Sequence, residues 1–233
     1  MTPIKVLSAL AAAALAAALA EPPPAVAQVP AYTPPPRGAP GGRVGGASRG
    51  TYKTATPLPR IDLLAPGDQT GLSASPTPSL YFFVSGPVIW PTQFTISAPM
   101  QAAPVIEVNI PPPNAAGVYD VDVADYHVRL QPGIVYTWSV SAILDPNARS
   151  RDIVGSATLL LGTPDPGVEN AVRTAPPPRR AALYAQAGFW YDAVAAAAAA
   201  EPFDRVALDA LMNEVGLHEP GFEEGAAGTA SAR

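Results

Sequence analysis

The stretch Leu130-Gln131-Pro132-Gly133-Ile134-Val135-Tyr136-Thr137-Trp138-Ser139-Val140 constrains this chain more than any other. Pro132-Gly133 is a turn signal: Pro presets φ, and Gly accepts the positive φ that a type II turn requires. A run of period two follows. Tyr136, Trp138, Val140 and Ala142 fall on one face, and Thr137, Ser139 and Ser141 on the other. That alternation predicts a half-buried antiparallel strand over Ile134–Ile143. Six further runs predict strands: Ile61–Leu64, Leu80–Val84, Phe94–Ser97, Val105–Ile110, Val118–Val123 and Ile153–Leu161. The continuous apolar run Leu80–Val84 suits a strand covered on both faces. Leu72–Pro78 reads as a turn-rich connection, and Asp145–Asp152 as a polar hairpin loop.

A Tyr just after a turn, at the start of a strand, resembles the tyrosine corner of immunoglobulin-like sandwiches. The spacing Leu-x-Pro-Gly-x-x-Tyr is also similar to the matching corner of fibronectin type III domains. The expected class is therefore mainly β with a C-terminal α appendage. It is an immunoglobulin/fibronectin-III-like antiparallel β-sandwich followed by a short helical unit, with Tyr136, Trp138 and Phe82 in its core.

Hydrophobic periodicity changes after Gly162. Asp165-Pro166 reads as an N-cap followed by Pro at the first helical position. Short helices are predicted to about Arg173, over Arg179–Ala187, over Phe189–Ala200 and over Phe203–Gly216. Gly188 and Pro202 act as breaks between them. At the other end, Met1–Lys5 carries one positive charge, Val6–Ala20 is apolar, and Ala25-Val26-Ala27 has the small-x-small form of a cleavage site before Gln28. An apolar run of 15 residues falls short of a membrane span, which takes about 20. The expected organisation is a signal peptide at 1–27, a Pro/Gly-rich basic linker at 28–59, the β-sandwich at 60–162, the short-helix unit at 163–219 and a disordered tail at 220–233. An exported, periplasmic or extracellular protein without a membrane span after signal cleavage follows from that reading.

Composition narrows the chemistry. With no Cys, disulfides, thiolate catalysis and Cys-type zinc sites are excluded. Charged residues are 14% with a net charge of −5, so nucleic-acid binding has no electrostatic support. The two His, His127 and His218, have no second His at ligand spacing, and no cofactor or metal is expected. Asp120, Asp122 and Asp125 lack the Gly and Glu of an EF-hand loop and read as a solvated strand face. The best interaction candidate is the Asp145–Asp152 loop with Arg149, Arg151 and Asp152, because binding residues concentrate on loops held by a rigid scaffold. The bland alternative is a hairpin closed by Arg149–Asp152 or Asp145–Arg151 pairs. Arg37, Arg43 and Arg49 make the Gly-rich segment a second candidate, its alternative being a tether that partly packs on the domain. Tyr184, Phe189, Trp190 and Tyr191 form either an aromatic recognition patch centred on Trp190 or the contact between helices and sandwich.

Pro36–Gly50, Leu64-Ala65-Pro66 with Gly71-Leu72, Pro76–Val84, Tyr136-Thr137-Trp138, Arg149–Asp152 and Leu183–Asp192 form a set of segments spread over the chain. Together they resemble a bacterial family known as a domain of unknown function, number nine-two-eight. The chain departs from it in having Leu144 where members often carry Cys, and in the Ala195–Ala200 run. The resemblance implies an exported protein and brings no catalytic residues. The expected function is a non-enzymatic protein-interaction or adaptor module of the cell envelope, with an envelope protein as partner. The alternatives are a carbohydrate or small-ligand binder using exposed Trp90 or Trp190, and a hydrolase whose site forms by distant packing around His127.

Overall fold

The computed structural model describes residues 30–35, 41–44, 58–200 and 204–217. Eight strands come first: β1 Ile61–Leu63, β2 Gly71–Ser73, β3 Ser79–Val84, β4 Thr92–Ser97, β5 Ile106–Ile110, β6 Gly117–Asp122, β7 Val135–Ala142 and β8 Ile153–Leu161. Four helices follow: α1 Pro166–Thr174, α2 Pro177–Gln186, α3 Trp190–Ala198 and α4 Arg205–Glu214. The strands form a three-stranded sheet ordered β1-β3-β6 and a five-stranded sheet ordered β2-β8-β7-β4-β5. The fold is mainly β with C-terminal helices, as the periodicity predicts.

β7 lies at the centre of the larger sheet, antiparallel to both neighbours, with Trp138 opposite Ile96 on one side and Ala157 on the other. Its alternation holds as far as Val140, with Tyr136, Trp138 and Val140 buried and Thr137 exposed, and ends at Ser141, which is buried like Ala142 beside it. The Tyr136 hydroxyl accepts a hydrogen bond from the Gln131 N–H at 3.0 Å, which ties the turn to the strand it precedes. Phe82 stacks on Tyr119 in the smaller sheet, with ring centroids 5.8 Å apart. At the close approach of the two sheets, a Cβ on Gly155 of β8 would stand 2.8 Å from the Ile61 carbonyl of β1.

Leu72 and Ser73, expected at the start of a turn-rich connection, instead belong with Gly71 to β2, parallel to β8 with Leu72 opposite Leu160. The strand is three residues long and includes Gly and Ser, so no local alternation announces it. Its partner β8 is its neighbour in the sheet but comes late in the chain. Pro177 and Pro178 form the first turn of α2, where the missing N–H groups cost nothing. Asp165 makes no side-chain cap, but Asp204 caps α4 by accepting from the Ala207 N–H at 2.9 Å.

The helices do not form a separate core. Trp190 and Tyr191 of α3 are buried in the same cluster as Trp138, Phe82 and Leu64. The Trp138 Nε1–H donates to the Tyr191 hydroxyl at 2.9 Å, and that hydroxyl donates to the Thr158 carbonyl at 2.9 Å. Trp190 Nε1–H donates to the Leu64 carbonyl at 2.9 Å. Trp138, Trp190 and Tyr191 thus each carry their polar atom to a partner, as desolvation requires.

The described parts of the Pro/Gly-rich segment are docked. Thr33 N–H donates to the Ala185 carbonyl at 3.0 Å, and Tyr32 packs edge-on against Trp190 at 4.8 Å. The Thr33 carbonyl lies 3.1 Å from where a Cβ on Gly188 would stand, and Gly188 has φ +84°, so the strap and the backbone both require glycine there. Further on, Gly42 N–H donates to Thr158 Oγ1 at 3.0 Å, and Val44 bridges antiparallel to Ser156.

Candidate functional site

Three connections meet at the end of the sheets where β4 and β8 begin. The Ile143 N–H donates to the Pro91 carbonyl at 2.9 Å, and the Val88 N–H to the Pro113 carbonyl at 2.7 Å. Those two bonds join the β3–β4, β5–β6 and β7–β8 loops into one surface. Ile89 stands there 77% exposed, beside the half-buried Trp90.

The β7–β8 loop is held from inside. Asp145 Oδ1 accepts from the Asn147 N–H at 2.9 Å, an Asx turn of the kind that opens tight loops. Asp152 is buried; its Oδ1 accepts from the Leu144 N–H at 3.2 Å, and its Oδ2 pairs with Arg149 Nε at 2.5 Å. Arg149 also donates from a terminal nitrogen to Gln93 Oε1 of β4 at 3.0 Å. The carboxylate of Asp152 is thus a brace beneath the loop and is withdrawn from the surface, correcting its reading as an exposed interaction residue. The Arg149–Asp152 pair of the bland alternative is present. Arg149 keeps 49% of its side chain exposed while pinned on two sides, and Arg151 is exposed.

Other candidates lie elsewhere. Trp190 is fully buried and bonded to Leu64, so it offers no recognition surface. The aromatic cluster is the contact between helices and sheets, because a large ring seated on the core buries more apolar area than one left in water. Arg43 sits by the turn before β2, its N–H 3.4 Å from the Gly67 carbonyl, and does not join the loop end. Arg37, Arg49 and His218 lie outside the described residues. His127 is exposed in a left-handed conformation at φ 55° after the 3-10 turn Val123–Tyr126. Asp122 caps that turn by accepting from the Ala124 N–H at 2.9 Å. Asp120 and Asp122 flank the half-buried Tyr81, whose phenol is pushed up to about 12, chiefly by burial and then by those two carboxylates. Among the described residues, no group of three or more His, Cys, Asp or Glu is placed to hold a metal. None of the described helices is long and apolar enough to cross a membrane.

Two clefts escaped the sequence reading. One, of about 370 Å³, lies between Tyr32, Gly67–Gln69 and Glu214–Val215. Tyr32 lines it, but its hydroxyl is shut away from solvent and has no hydrogen-bond partner; burial and then Asp68 push its phenol up to about 12. The other, of about 450 Å³, lies between α1, α2 and α3 and is lined by Arg173, Arg180, Tyr184 and Asp192 among apolar side chains. The helical spacing of Arg180 and Tyr184, four residues apart on one face of α2, was the only local signal for either.

No curated protein and no solved structure matches the chain. The family model described as Domain of Unknown Function (DUF928) matches residues 44–221, a span running from the docked Gly-rich segment through α4. The chain therefore belongs to the family described as Domain of Unknown Function (DUF928).

Proposed function

We propose that this protein is an exported, non-enzymatic interaction module of the cell envelope that engages a partner protein through its three-loop end. The observation that carries this reading is the hydrogen-bonded platform that presents Ile89, Trp90, Arg149 and Arg151 together. Trp and Arg contribute disproportionately to binding, and pinning a side chain beforehand lowers the entropy lost on association. Export is supported by the charged, apolar and small-x-small succession over Met1–Ala27. The strand order resembles an immunoglobulin-like sandwich, with β1-β3-β6 facing β2-β8-β7-β4-β5 and Tyr136 in the corner position. On that likeness the β3–β4 and β7–β8 connections correspond to loops that bind ligands in variable domains, an argument by analogy.

The test is in-cell crosslinking of the C-terminally tagged protein, followed by mass spectrometry. The expected result is one envelope partner in stoichiometric amount, lost when Ile89→Glu and Arg151→Glu are combined in a protein that melts like the parent. Recovery of the protein alone, or undiminished capture by the double variant, would overturn the reading. A carbohydrate-binding role has one observation in its favour, the partly exposed Trp90 at the same end. It predicts quenching of Trp fluorescence by cell-wall sugars, lost in Trp90→Phe.

A further inference from the structure

The groove between the first three helices shares no residue with the loop end. Its apolar wall is made by Val172, Pro177 and the methyl groups of Ala195, Ala196 and Ala199. Two guanidinium groups stand in it, each fixed by a single hydrogen bond. Arg173 donates to Asn170 Oδ1 at 2.6 Å, and Arg180 Nε–H donates to the Ala175 carbonyl at 3.2 Å. Neither is paired with a carboxylate among the described residues. Unpaired cations held in place beside an apolar wall are a prepared receptor for an anionic group, and a guanidinium fork suits a carboxylate. The lining also carries the opposite charge. Asp192 of α3 is half-buried, and its Oδ2 accepts from the Ala74 N–H at 2.7 Å, which fixes the carboxylate in place.

We infer that this groove binds a short apolar peptide with free ends, its C-terminal carboxylate on Arg173 and Arg180 and its N-terminal ammonium on Asp192. The methyl-lined wall takes the peptide's side chains, and the volume lies within the ~300–1,000 Å³ of small-ligand sites. A simple amphipathic anion fits less well, because Asp192 would face it unpaired. Asp192 faces Tyr184 of α2, which in turn feels Arg180 of the same helix and Glu169 of α1, and it accepts hydrogen bonds from Ser73 at the end of β2 and from Ala74 and Ser75 after it. Burial pushes its carboxyl up to about 6 against the pull of those hydrogen bonds. The ammonium end is therefore held by a charged partner above that pH and by a neutral one below it. Binding strengthens as the solution is taken from pH 5 to pH 7.5.

Calorimetric titration of the full chain with trialanine tests this. The C-terminal amide and the N-acetyl form of trialanine should each bind about tenfold more weakly, a difference of ~1.4 kcal/mol. Arg180→Gln should weaken the free acid and leave the amide unchanged; Asp192→Asn should weaken the free amine and leave the N-acetyl form unchanged. Absence of saturable trialanine binding, or equal binding of acid and amide, would overturn the inference. So would octanoate binding more tightly than trialanine and gaining affinity as the pH falls below 6.

Discussion

Replacing Trp138 with Ala is expected to cost about 3–5 kcal/mol, the range for deleting a large buried aromatic. The ring is wholly buried between Ile96 and Ala157, and its N–H is one of two hydrogen bonds on the Tyr191 hydroxyl. Tyr191→Phe tests the polar part alone. It leaves the buried indole N–H without its acceptor, at about 1–3 kcal/mol. Urea unfolding of both variants measures this; a Trp138→Ala midpoint close to the parent's would defeat the placement. Asp192 gives a pH dependence whose sign is unusual for a carboxylate. Burial lifts its pKa from the ordinary 3.8 to about 6, so the native state holds the proton more firmly than the unfolded chain. Its contribution is fully present below the ordinary value and is lost as pH rises through about 6, at ~1.4 kcal/mol per pKa unit. Asp192→Asn keeps an acceptor for the Ala74 N–H and should melt above the parent at pH 7.5, an advantage that shrinks toward pH 4. Equal melting of the two proteins at both pH values would show the carboxyl is not desolvated.

Among the elements, the strap at 30–35 invites the sharpest comparison. Tyr32 is buried against Trp190, yet its hydroxyl finds no partner. Tyr32→Phe is therefore expected to be neutral or stabilising, because it removes a desolvated hydroxyl without opening a cavity. Tyr32→Ala should cost about 3 kcal/mol or more and expose the Thr33 N–H to hydrogen exchange. If Tyr32→Phe destabilises substantially, the hydroxyl is bonded after all. The sequence announced the long strands and all four helices, because each carries its own periodicity or punctuation: alternation in β7, Pro166 opening α1, Gly188 closing α2. It did not announce β2, which has three residues and depends on β8 for its pairing. Nor did it reveal that Trp190 turns inward. An aromatic beside a helix start reads the same whether it meets water or a neighbouring sheet. Only Leu64, far away in the chain, decides between them.

For the whole molecule, the candidate surfaces were half legible. Arg149 and Arg151 stood out as cations in a polar hairpin, and the structure keeps both at the surface. Their neighbours Ile89 and Trp90 belong to a different connection, and nothing in the residue order placed the two loops side by side. The groove between the helices was invisible for the same reason, since its cations and its carboxyl come from three helices. The pairing of Tyr32 with Trp190 carries a consequence for the order of assembly. A chain is made from its N-terminus, yet its first packed ring waits for α3, among the last elements to be made. β2 likewise waits for β8. Pairings this distant in the chain make for slow folding. Until α3 arrives, Trp138 and the Leu64 carbonyl lack the partners that complete them, and a nascent chain stalled before Trp190 presents an unfinished interior to whatever surrounds it.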